Sequence, residues 1–88
     1  MTSRAAIRAV YDDPQVEGME LLYTAIGEQL QQGISFDNAY ANTIAAGGAA
    51  ATTWIRFCVQ CSMRFDEPPA EEDFLSVLHE MCREFMKR

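Results

Sequence analysis

Between Ile44 and Trp54 the chain reads IAAGGAAATTW: nine small, uncharged residues framed by two large apolar ones. What this run becomes decides how many helices the chain can have and how long they are. A phosphate-binding loop needs a glycine-rich turn between a strand and a helix, usually with a lysine that reaches the phosphates. No strand pattern precedes these glycines and no lysine follows them. A membrane span needs ~20 predominantly apolar residues. The charge-free stretch 38–55 has eighteen, among them Asn38, Asn42, Thr43, Thr52 and Thr53, so it is too short and too polar. A disordered linker draws on Ser, Pro or charge, whereas alanine is the strongest helix former. The run therefore belongs to helix.

Two helical forms compete. One is a single helix over residues 36 to about 65, ~45 Å long at ~1.5 Å per residue, which would overhang its neighbours and ask for a second chain. The other breaks at Gly47-Gly48 and folds back into a compact monomer, with Thr52 or Thr53 as the new N-cap. Two glycines together cost a helix ~2 kcal/mol, and the surrounding alanines oppose them. On this balance the continuous helix, straight or kinked, is the expectation. The fold class is all-α, a small bundle of four helices, or five if the chain breaks at Gly47-Gly48.

The rest of the chain supports that class. There is no sustained alternation of apolar and polar residues, and Ala, Glu, Gln, Met and Leu stand where strands want β-branched runs. A short helix over residues 3–11 groups Ala6, Ile7 and Val10 and ends at DDP. Asp13 and Pro14 then read as N-cap and first helical residue of a helix whose stripe is Val16, Met19, Tyr23, Ile26 and Leu30, with Gly33 as its stop. Gly18 and Gly27 each cost that helix ~1 kcal/mol, and close approach by a neighbour is the expected compensation. Ser35 caps the next segment, which carries Phe36, Tyr40 and Ile44. Beyond the small run, Trp54, Cys58, Cys61 and Phe65 continue the stripe, flanked by Ile55, Val59 and Met63. DEPPAEED breaks the chain before a last helix that buries Phe74, Leu75, Leu78, Met81, Cys82 and Phe85.

At 88 residues the chain forms one domain, 1–88, whose core is small enough that a metal, a disulfide or a second subunit is a common supplement. Net charge is −6, and no Lys or Arg stands between Arg8 and Arg56. Such a surface repels a phosphate backbone, so no direct nucleic-acid binding is expected. The N-terminal MTSRAAIRAVYDD lacks a long apolar core before its acids, so no signal peptide is expected. Three cysteines, an odd number, suit a reducing cytoplasm better than a disulfide framework.

One constellation offers chemistry. Cys58-x2-Cys61 and His79-x2-Cys82 have the spacing of a Cys3His zinc site. Both pairs fall within helices, however, and their distances from the intervening turn, ~9 Å and ~16 Å, put them out of register by more than a turn. Buried apolar cysteines are the simpler expectation, with zinc as the alternative and no other cofactor. A CxxC redox role has less support, because it wants a βαβ setting and a helix N-terminus that lowers the thiol pKa. With one histidine and no nucleophile–base pair, no enzyme activity is expected.

These features point to a small acidic, cytoplasmic module that binds protein through helix–helix contacts, as a homo-oligomer or with a distinct partner. The candidate contact residues are Ala45, Gly48, Ala49 and Thr52 for close approach, with Tyr40 and Trp54 as aromatic anchors. A sharper form of the same reading presents Asp12, Asp13, Glu17, Glu20 and Glu28 to a basic or nucleic-acid-handling partner.

Overall fold

A computed structural model describes residues 4–13, 16, 18–67 and 69–87. Among these the fold is all-helical, with five helices: α1 (Arg4–Tyr11), α2 (Met19–Gln31), α3 (Phe36–Ala46), α4 (Gly48–Arg64) and α5 (Glu71–Met86). The central helix is α2, which packs against α3, α4 and α5, while α1 lies on α4 and α5. Residue 3, Pro14 and Glu17, to which the sequence reading gave a helix start, a first helical position and a surface acid, lie outside the described residues.

The expected continuous helix does not form. Gly47 adopts φ 71° and ψ −146°, and Gly48 a φ of 74°, conformations that glycine reaches at little cost and other residues avoid. The physical reason is length. A helix of ~45 Å would exceed the 37 Å longest dimension of the molecule, whereas the break lets α3 and α4 both lie against α2. The glycines had already removed ~2 kcal/mol of helical preference, so the break gives up little. Helix α4 starts at once, so neither threonine is its N-cap. Instead Thr52 Oγ1 donates to the Gly48 carbonyl at 3.0 Å and Thr53 Oγ1 to the Ala49 carbonyl at 2.9 Å.

Helix α2 also begins later than the Asp13-Pro14 reading has it. Its N-cap is Gly18, left-handed at φ 84°, and Asp13 instead closes a turn by accepting the Val16 N–H. Gly18 has a second constraint, because Thr53 Oγ1 of α4 lies 3.0 Å from where a Cβ would stand. Gly27, buried inside α2, shows the expected close approach: a Cβ there would collide with Met86 of α5. Ser35 caps α3 by accepting the Asn38 N–H.

The core centres on Phe57, the largest fully buried side chain. Tyr11 stacks on it with ring centroids 4.1 Å apart, Trp54 at 5.4 Å, and Phe74 meets it edge-on at 5.8 Å. The buried stripe of α4 is therefore Trp54, Phe57 and Cys61 rather than Trp54, Cys58, Cys61 and Phe65; Cys58 and Phe65 sit at its margin. Between α2 and α3 a polar buckle replaces apolar packing. Gln29 Nε2 donates to Thr43 Oγ1 and Ala25 O, each at 3.0 Å, and Gln29 Oε1 accepts from Asn42. On the other side, Arg4 donates to Ser76 and Glu80, and Arg8 to Glu84. The rising pairs mean that α1 and α5 run in the same direction, pinned by an ion ladder on their outer edge.

Candidate functional site

The outer face of α4 is where the molecule departs from ordinary burial. Helix α4 turns Trp54, Phe57 and Cys61 inward, which at ~100° per residue leaves Ile55, Val59 and Met63 outward. These three are 63%, 50% and 75% exposed, spaced four apart in one row. Ahead of them in the same row stand Thr52 and Gly48, both exposed. The face thus has two ends: a smooth one of Gly48 and Ala49, and a ridge of Ile55, Val59 and Met63, with Thr52, the size of a valine, between them. No acid occurs anywhere in α4. Arg56 borders the row and has no ion pair among the described residues, while Arg64 is bound to Asp13 at 2.5 Å. A shallow groove of about 350 Å³ follows the row's edge where α4 meets α2, lined by Gly18, Leu21, Ala49, Thr52, Thr53 and Arg56. Leu21, 53% exposed, extends the apolar surface across it.

The candidate contact residues divide. Ala45, Gly48, Ala49 and Thr52 are exposed, and nothing lies within 4 Å of a Cβ built at Gly48. Among the described residues nothing therefore packs over Gly48. Trp54 is a core residue, 8% exposed, and Tyr40 leans on its edge with centroids 5.6 Å apart. The large apolar side chains exposed on the outer face are Ile55, Val59 and Met63, to which the sequence assigns no role beside the stripe. Their signal was present as three large apolar residues at spacing four with no charge in the row.

Asp12, Asp13 and Glu20 line one cleft of about 490 Å³ beside the α1–α2 turn, whereas Glu28 lies two turns further along α2.

The cysteines and the histidine do not assemble. Among the described residues no group of three or more His, Cys, Asp or Glu side chains is placed to hold a metal ion. Cys61 and Cys82 are buried among core side chains, Cys58 is half-buried, and His79 stacks on Phe36 at 4.6 Å. The structure does not bring Cys58, Cys61, His79 and Cys82, the alternative zinc set, together: α1 and α2 each pack against both α4 and α5. Burial raises the Cys58 thiol and pushes Cys61 up to about 11 and Cys82 up to about 12. Redox and metal chemistry use the thiolate, which this setting disfavours.

Among the described residues no helix is long and apolar enough to cross a membrane. Comparison of the chain with family models, curated proteins and solved structures finds no match.

Proposed function

We propose that this chain is a non-enzymatic protein-binding module that works through the outer face of α4. One observation carries the reading: Ile55, Val59 and Met63 hold an exposed apolar row on a helix that contains no acid, in a chain of net charge −6. Exposed large apolar side chains scattered singly need no explanation, but a contiguous row is what a helix-in-groove or helix-on-helix contact uses. The smooth end supports the same reading, because small side chains let another helix come close to the backbone. A cytoplasmic setting and no resident cofactor accompany it. A basic partner in the Asp12–Asp13–Glu20 cleft is the second reading, supported by three carboxylates lining one hollow.

The test is site-specific photo-crosslinking in cells that express the chain, with the reactive group at position 59 or, as a control, at exposed position 31. Covalent capture of a polypeptide from position 59 and not from 31 is the expected result. Equal capture from both positions, or none, overturns the reading.

A further inference from the structure

We propose that the α4 face is covered by a second copy of this chain, packed antiparallel with Met63 over the partner copy's smooth end. The proposal rests on the reading that the face binds protein, and it names the occupant. Three observations carry it. The first is shape. The row Gly48, Thr52, Ile55, Val59 and Met63 is flat at its N-terminal end and raised at its C-terminal end. Turning one α4 end to end over another seats Met63 on the open Gly48 of the opposite copy, with Val59 beside Thr52, a side chain of its own size, and Ile55 beside its own twin. A parallel pairing would set ridge on ridge and leave the flat ends apart.

The second is register. The pairing that seats ridge on flat places the two-fold axis between Ile55 and Arg56, at the middle of Gly48–Arg64. Shape and full overlap of the two helices thus select the same alignment. An isologous contact needs a patch that complements itself, and this one does.

The third is charge. A self-contact along the acidic side of α2, or a parallel one along α5, brings carboxylates together, because α2 carries Glu20 and no base and α5 carries Glu71, Glu72 and Asp73 in its first turn. A contact through α4 brings none. Arg56 stands at the edge of the row, where its stem can cover apolar surface while the guanidinium stays in water. A helix of this length, ~25 Å, offers less than the ~800 Å² per partner of a standard interface, so the dimer is reversible and concentration-dependent.

Sedimentation equilibrium of the full chain, from micromolar to millimolar concentration, should show a mass rising from 9.9 kDa toward twice that value. Val59→Glu should abolish the rise and leave the circular dichroism spectrum unchanged, since Val59 lies outside the core. For the register, mild oxidation of the Thr52→Cys/Val59→Cys double variant should give a reducible covalent dimer that neither single variant nor the parent gives. A monomer throughout the range, a dimer that survives Val59→Glu, or a single Thr52→Cys variant that cross-links as readily as the double would each overturn the proposal. Failure here is separable from failure of the binding reading. A monomeric chain whose position 59 captures a different polypeptide in cells overturns the second copy alone; capture of nothing overturns both.

Discussion

Arg4 Nη2 donates to Glu80 Oε1 at 2.6 Å, joining two residues 76 positions apart at the outer edge of α1 and α5. Both side chains are about half exposed, and the neighbouring Arg8–Glu84 pair is similarly open to water. Exposed pairs gain little, since solvent screens them and two long side chains must be ordered. Beneath the ladder Ile7 is fully buried. Replacing both arginines by alanine should therefore hardly move the urea midpoint, whereas Ile7→Ala should cost ~2–4 kcal/mol. Comparable losses from the two variants would show that the ladder, not the core, holds α1.

Gly27 and Met86 form a second testable pair. Alanine at position 27 should favour α2 by ~1 kcal/mol from propensity alone. Because its Cβ would meet the Met86 side chain, Gly27→Ala should instead be neutral or lose up to ~2 kcal/mol. In a Met86→Ala background the same change should become stabilising. Additive effects in the double-mutant cycle would remove the contact from the account.

At Gly47 and Gly48 nothing lies within 4 Å of an added Cβ, so a substitution acts there through the backbone alone. With both φ values positive, Gly47→Ala/Gly48→Ala should destabilise the chain by ~2–4 kcal/mol. A gain in stability would mean that these residues are helical in solution and that α3 and α4 are one helix.

The buried thiols give a pH dependence with a definite sign. Cys61 and Cys82 have folded values of about 11 and about 12, against an ordinary 9.0. Below pH 9 both states hold the protons and stability is unaffected. Above it the unfolded chain gives them up first, so stability falls by about 1.4 kcal/mol per pH unit per thiol until the folded values are passed. Urea unfolding between pH 8 and pH 11 should show this decline, and Cys82→Ala should make it shallower. A flat profile would place the thiols in water.

Salt distinguishes the two possible kinds of partner. Two copies of net charge −6 repel, and in the antiparallel register their Arg56 side chains meet near the two-fold axis. Self-association should therefore tighten as salt rises. Binding of a basic partner in the acidic cleft should weaken instead. Light scattering over a salt series reports the sign directly.

Much of the architecture was legible because helical spacing and breakers are local. Ser35 as a cap, Gly33 near the end of α2 and the acids opening α5 required no knowledge of neighbours. The Gly47–Gly48 break was not decidable that way, since local propensity nearly balances there and the outcome depends on whether α2 can receive both halves. The same limit hid Phe57. A stripe drawn through Trp54, Cys58 and Phe65 fits helical spacing almost as well as one through Trp54, Phe57 and Cys61, and only the position of Tyr11 and Phe74 selects the second. Choosing the wrong stripe also rotated attention away from Ile55, Val59 and Met63. The zinc spacing reads as a motif because sequence distance does not say which helices become neighbours, and here α1 and α2 pack against both α4 and α5.

The ladder between α1 and α5 has a consequence for the order in which the molecule is made. A nascent chain emerges with α1 first, yet the surfaces that receive Ile7, Val10 and Tyr11 belong to α4 and α5. Until synthesis has passed Glu84, α1 has an apolar side and no complete seat for it. Helices α2, α3 and α4 can begin to gather before α5 is made, but α1, which precedes them in the chain, docks only after both of its seats exist.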